Sequence, residues 1–245
     1  MSTYPAVDDR LPIGIFGASG RMGRALQARL AEHPRLYCAA AAGRNERADF
    51  SSCVALIDFS LPSGLNALLE QLPEGCPLVS GVTGYTPEQW ALLEEHGSRA
   101  PLLWAANFSL GIAALRFLAR EAARRLPDFE VELFDFHHRQ KRDAPSGTAL
   151  ALAEEVAKGR GEPLTQRGPL APRTTSRELG VSVGRAGQVI GEHTLFFCGP
   201  GERLELTHRA QERGLFADGA LRATEALLGR PAGRYELEQL LWEEV

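Results

Sequence analysis

Residues 11–33, LPIGIFGASGRMGRALQARLAEH, constrain the fold more tightly than any other part of the chain. Leu11–Phe16 read as a buried strand and Arg21–His33 as a helix, with Gly17, Gly20 and Gly23 at the join. The first glycine permits a tight turn and the second lets a pyrophosphate approach the backbone. The third lets the helix pack closely on the strand, and the anion is held at the helix N-terminus. A βα turn without a ligand uses glycine in similar ways, but a strand, glycine turn and helix at the head of the chain favour dinucleotide binding.

The pattern that follows extends this unit. Residues 36–42 and 54–59 read as strands, a helix runs from Pro62 to about Gln71, and PLVSGV (77–82) and PLLWAA (101–106) read as further strands. Thr86 opens a helix with Pro87 at its first position and Gln89 completing a capping box. Strands alternating with helices predict a doubly wound parallel sheet. Beyond Asn107 the texture changes. A helix is expected over about 110–126, followed by FEVELFDF (129–136), whose apolar positions alternate at 129, 131 and 133 and then shift phase to 134 and 136. Such a shift predicts a bulge or the end of the strand. Residues 159–177, rich in Gly, Pro, Arg and Thr, read as a long mobile loop. Runs near 179–184, 188–198 and 202–208 read as strands in antiparallel or mixed pairing, and a helix over about 216–228 and a charged tail close the chain. The expected fold class is α/β: a Rossmann-type nucleotide-binding domain with a second α+β domain.

A net charge of -4 and a pI near 5.9 offer no chain-wide attraction for nucleic acid or an anionic membrane, so any basic site must be local. Cys38, Cys53, Cys76 and Cys198 form no C-x-x-C pair and sit in or beside apolar runs, which fits a reducing cytoplasm. The N-terminus carries Asp8 and Asp9 where a signal peptide needs positive charge, and no apolar run approaches the roughly 18 residues that span a bilayer.

Cofactor choice is read at the end of the second strand, Ala42-Gly43-Arg44-Asn45. An acidic side chain there accepts hydrogen bonds from the adenosine ribose and suits NADH. Gly43 instead leaves space and Arg44 supplies positive charge for a 2′-phosphate, with Arg47 as a second cation, so NADPH is favoured and NADH remains a possible substrate. Arg44 also fits a solvated surface arginine, and Glu46 can return a carboxylate to the ribose through a small loop shift.

The second concentration of chemistry is DFHHRQKRDAPSGTAL, residues 135–150. Adjacent histidines on an extended segment point in opposite directions, and no further His, Cys or carboxylate stands at ligand spacing, so no metal site is expected. Acid–base or anion-binding roles remain for His137, His138 and Lys141. Ser146 reads as the N-cap of a helix whose first N–H groups, on Gly147 and Thr148, suit a carboxylate or phosphate. On local features alone, a solvated basic loop followed by an ordinary cap fits nearly as well.

Taken in order, GASGRMGRAL, IDFSLP, GVTGY, AANFSLG, HHRQKRDAPSGTAL, GRAGQVIGEHTLFF and ERLELTHRAQERGLFADGAL resemble the dihydrodipicolinate (4-hydroxy-tetrahydrodipicolinate) reductase family of the diaminopimelate route to lysine. The resemblance implies hydride reduction of a small cyclic dicarboxylate. It also implies a nucleotide-binding domain over 1–108 plus 216–245, and a substrate-binding domain over 109–215 through which a homotetramer forms. His137 is then the general acid/base, His138 a substrate contact and Lys141 a proton donor that also binds substrate, while Gly147 and Thr148 hold a carboxylate. Cofactor contacts fall on Gly17, Ala18, Ser19, Gly20, Arg21 and Met22, on Gly43 and Arg44, on Gly81, Val82 and Thr83, and on Ala106, Asn107, Phe108 and Ser109. Domain closure about 107–110 and 213–218 is expected. The chain departs from the family pattern in its short segment after Arg44, in Gly43 where an acidic residue is common, and in Val82 where threonine is common. A Rossmann dehydrogenase of a linear amino acid would leave the Ser146–Thr148 helix start without a use, and a non-catalytic nucleotide sensor would have no reason to keep His137 and Lys141.

Overall fold

The computed structural model describes residues 9–43, 46–163, 166–167, 172–173, 175 and 177–242. The chain divides into two compact units, residues 1–108 with 216–245 and residues 109–215.

The first unit holds a six-stranded sheet of β1 (Leu11–Phe16), β2 (Leu36–Ala42), β3 (Ala55–Asp58), β4 (Leu78–Ser80), β5 (Pro101–Trp104) and β11 (Gly233–Tyr235), in the order β11-β5-β4-β3-β1-β2. Every pairing is parallel. Alternation along the strands sends Ile13, Ile15, Ile57 and Val79 to one face, where α1 (Arg21–Glu32) and α6 (Gly214–Leu227) bring Leu26, Leu30, Ala220 and Leu227. Phe16, Leu56, Leu78 and Leu102 face the other side, against Leu65 and Leu68 of α2 (Leu65–Leu69) and Leu93 of α3 (Pro87–Gly97). Burial on both faces explains why these strands read as continuous apolar runs. The capping box of α3 is formed, with Thr86 Oγ1 accepting from Gln89 N at 3.3 Å and Gln89 Oε1 from Thr86 N at 3.0 Å.

Two expectations are corrected here. The strands read as 77–82 and 101–106 stop at Ser80 and Trp104, so Gly81–Thr83 and Ala105–Ser109 are connecting loops at the carboxyl end of the sheet. The charged tail is structured, since Gly233–Tyr235 adds a strand beside β5 and Leu237–Trp242 forms α7.

The second unit has a five-stranded sheet of β6 (Glu130–His137), β7 (Gln166–Arg167), β8 (Leu179–Arg185), β9 (Gly191–Cys198) and β10 (Arg203–Ala210), in the order β10-β9-β6-β8-β7. β6 runs parallel to β8 and antiparallel to β9. One face, with Val131, Leu133, Leu195 and Phe197, packs against α4 (Leu110–Arg125) and α5 (Gly147–Arg160). Of the two expectations for β6, the bulge is absent and the strand ends at His137: pairing to β8 and β9 runs unbroken, and burial alternates with 131, 133, 135 and 137 inward. Asp135 occupies an inward position that an apolar pattern assigns to a hydrophobic residue, while Phe134 and Phe136 stack on the opposite face with centroids 5.7 Å apart. The stretch 159–177 is helical as far as Arg160, and much of the remainder lies outside the described residues.

Candidate active site

Sheet register assembles the centre of the second unit. Asp135 lies directly opposite His193 on β9, and His137 opposite Arg185 on β8. The Asp135 side chain is fully buried. Its Oδ2 accepts from Ser146 N at 2.9 Å and from the Arg185 guanidinium at 3.0 Å. Oδ1 accepts from Ser146 Oγ at 2.8 Å and lies 3.2 Å from His193 Nε2. His137 Nδ1 is 3.0 Å from Oδ1 but without the alignment of a directed hydrogen bond, so that contact is electrostatic. Although burial alone pushes the Asp135 carboxyl up, its close contacts with His137 and His193 and its hydrogen bonds from Ser146 outweigh it and hold the group ionised, far below the usual carboxylate range.

Ser146 does two tasks. Its hydroxyl accepts from Ala149 N at 3.1 Å, capping α5, while its own N–H and O–H are tied to Asp135. Gly147 and Thr148 form the first turn, whose N–H groups a helix's own ladder does not use. His138 and Lys141 follow β6 on a turn closed by Lys141 N donating to His138 O at 3.1 Å, and Lys141 Nζ pairs with the exposed Asp143 carboxylate at 2.8 Å. Asp143 is held low chiefly by Lys141. Arg139 and Arg142 are exposed, and the structure gives them no part in this cluster.

The expectation that no further His or carboxylate stands near His137 at ligand spacing is corrected, because side-chain donors of Asp135, His137 and His193 lie within 4.8 Å of one another. Arg185 already sits on that carboxylate, and its positive charge opposes a metal ion there. Asp135, Arg185 and His193 were missed by sequence reasoning, although period-two alternation from Val131 puts Asp135 on the face of His137. His208 was also missed. Its Nε2 lies 3.1 Å from Ser109 Oγ, and burial, followed by the neighbouring His193, lowers its pKa. Ser109 caps α4 by accepting from Ile112 N at 3.2 Å.

In the first unit, the glycine turn has the shape a dinucleotide requires. Gly17 has φ +86°, in the left-handed region, and a Cβ there would stand 2.7 Å from Ser60 N. A Cβ on Gly23 would collide with Gly17 O, so only glycine lets α1 approach the turn this closely. Gly17 and Ala18 N–H groups donate to Ala42 O, each at 2.9 Å, which fixes the turn beside the end of β2. Ser19 and Arg21 are exposed, and Gly20 and Met22 half-buried. Gly43 is buried at that strand end, whereas Arg44 lies outside the described residues.

The loop Gly81–Thr83 is held from beneath. Trp104 Nε1 donates to Val82 O at 2.6 Å, Val82 N to Ser80 Oγ at 3.4 Å, and Ser80 Oγ meets Tyr85 Oη at 3.1 Å. The Val82 side chain is buried and its N–H and C=O are both engaged within the protein, whereas Thr83 is exposed. Asp58, at the end of β3, accepts from Ser60 N at 2.8 Å, and burial raises its pKa to about 6. Ala106 is exposed and Asn107 half-buried, while Phe108 is buried with its ring edge against Phe59, centroids 5.4 Å apart.

Comparison with known proteins places this geometry. The dihydrodipicolinate reductase N-terminus matches residues 11–108 and the dihydrodipicolinate reductase C-terminus residues 111–241. The 4-hydroxy-tetrahydrodipicolinate reductase of Pseudoalteromonas translucida (strain TAC 125) is 38% identical over 259 residues, covering 94% of this chain and 97% of its own. That of Stenotrophomonas maltophilia (strain K279a) is 42% identical over 245 residues, covering 93% and 96%. A dipicolinate-bound dihydrodipicolinate reductase from Paenisporosarcina sp. TG-14 shares the fold, with TM-score 0.73 at 23% identity over 95% of this chain and 100% of that one. With both halves matched and relatives of this identity along nearly its whole length, the chain belongs to the dihydrodipicolinate reductase family.

Proposed function

We propose that the chain reduces 4-hydroxy-tetrahydrodipicolinate, a small cyclic dicarboxylate, to tetrahydrodipicolinate in the diaminopimelate route to lysine. The observation that carries this reading is the buried Asp135 carboxylate. It contacts both His137 and the Ser146 start of α5, joining a protonatable imidazole to a carboxylate-binding helix end.

A nicotinamide nucleotide supplies the hydride when bound, and the remaining requirements fall on the protein. His137, steadied by the Asp135 anion, carries the proton destined for the ring atom that becomes electron-rich. Lys141 binds a substrate carboxylate and is a second proton donor. Its pair with exposed Asp143 is worth little, so exchange for a substrate anion costs little. His138 contacts the substrate, and Gly147 and Thr148 receive its other carboxylate at the start of α5.

In this reading residues 1–108 with 216–245 hold the nucleotide through 17–22, 43–44, 81–83 and 106–109, and residues 109–215 hold the substrate. NADPH is favoured by the cation Arg44, with NADH also used, and no metal takes part. Four copies meet through the sheet face that bears Phe134 and Phe136. The enzyme works in the cytoplasm, in keeping with its four free cysteines. No helix among the described residues is long and apolar enough to cross a membrane.

The test is a coupled assay in which the purified protein meets the freshly formed condensation product of pyruvate and aspartate semialdehyde, with NADPH and NADH in parallel. Substrate-dependent oxidation of the nucleotide is expected, and none with either nucleotide would sink the proposal. Lys141→Ala should lower kcat/KM by about 10²-fold or more while leaving nucleotide Kd unchanged. A collapse of nucleotide affinity would move Lys141 to the cofactor site.

A further inference from the structure

At the end of β2 a carboxylate stands where the sequence shows no side chain. Gly43 N donates to Glu46 Oε2 at 2.7 Å, and Glu46 N returns to Gly43 O at 3.4 Å, closing a short turn. A Cβ on residue 43 would lie 2.7 Å from Glu46 Oε2, 3.1 Å from Glu46 Cδ and 3.1 Å from Ser19 Oγ. The Glu46 carboxylate therefore fills the space that a side chain at 43 would enter, beside the hydroxyl of the glycine-rich turn. Glycine at 43 is what makes room for it.

In dinucleotide-binding sheets this strand end is where an acidic side chain meets the ribose hydroxyls of the adenosine half. We propose that Glu46 is the specificity-determining residue of the nucleotide site. It supplies from three positions downstream the carboxylate that residue 43 lacks, accepting the ribose hydroxyls of NADH and repelling the 2′-phosphate of NADPH. The inference rests on the nicotinamide-nucleotide reading above.

A carboxylate offers about four lone-pair positions, so the bond from Gly43 N orients the group and leaves capacity for sugar hydroxyls. A 2′-phosphate brought to the same place meets like charge at short range, which is the usual means of rejecting a competing ligand. Arg44, two positions before Glu46 in sequence, acts in the opposite sense by attracting that phosphate. Cofactor choice is then a balance of two opposed charges two positions apart in the sequence, and NADH is a working cofactor.

The test is the Kd of NADH and of NADPH, measured by titration calorimetry on the intact protein and on Glu46→Gln. Glutamine keeps an amide oxygen for the Gly43 N–H, so the turn survives and only the charge is lost; a thermal melt checks the fold. The wild type should bind both nucleotides. The variant should shift the NADH-to-NADPH Kd ratio about tenfold or more towards NADPH, as expected for a charged hydrogen bond exchanged for a neutral one. An unchanged ratio, with both nucleotides still bound, would overturn the role of Glu46. A wild type that binds neither nucleotide has a different signature and would overturn the cofactor reading itself.

Discussion

Asp135 is the residue on which most of the site's geometry depends, and the one least visible in the sequence. Flanked by Phe134 and Phe136, it looks like a polar interruption of an apolar run; in the fold it is fully buried and contacted by Ser146, Arg185, His137 and His193. His137, His138 and Lys141 could be singled out because adjacent charge and imidazole are unusual in an acidic chain. Arg185 and His193 could not, because sheet pairing across 48 and 58 positions brings them in. Asp135→Asn should lower kcat by about 10²-fold with nucleotide Kd intact. Stability should fall by about 3 kcal/mol, because Arg185 loses its buried partner. A kcat that holds while stability falls would make Asp135 purely structural. Since its folded pKa is depressed, its contribution to stability is present above the ordinary carboxylate range and fades as pH falls below it.

At the scale of elements, β6 shows how a correct periodicity can be misread. Apolar side chains ordinarily mark the inward face of a strand, so Phe134 and Phe136 signal a shift in phase. Continuous pairing to β8 and β9 shows that the parity never changed. The aromatic pair belongs to the face away from α4 and α5, where Phe134 is 38% exposed. If four copies meet there, Phe134→Lys should lower the sedimenting mass to that of a smaller species while the far-UV spectrum stays unchanged; a persistent tetramer would place the contact elsewhere. The closing segment was misread for another reason. A strand of Gly233–Tyr235 and a helix of Leu237–Trp242 are too short for periodicity to stand out among charged neighbours.

For the whole molecule, the parallel-sheet unit was legible because each strand and helix announces itself locally, through glycine turns, caps and apolar runs. The mixed sheet was legible as strands but not as an order, since its pairings are set by long-range contacts. A global consequence attaches to Asp58. Its pKa is raised by burial to about 6 from 3.8, so the native state holds this proton more tightly than the unfolded chain does. Its favourable contribution is complete below pH 3.8 and is lost as pH rises through about 6. Denaturant titrations of the wild type and Asp58→Asn across this window should diverge by about 3 kcal/mol, the wild type losing the stability. Parallel curves would show that Asp58 is ionised throughout.

The link from Asp135 through Ser146 to α5 has a consequence for substrate range. One side chain touches the imidazole and also sets where the helix begins, so, on the proposed roles of His137 and the start of α5, the distance from proton source to anion receptor is a fixed span. A ring with its carboxylates spaced for that span registers at both ends at once. A longer diacid could not be admitted by widening one wall, because any shift of the receptor drags on the group that aligns the acid. On that proposal the site works as a gauge, and changing the size it accepts requires Asp135, Ser146 and His137 to move together.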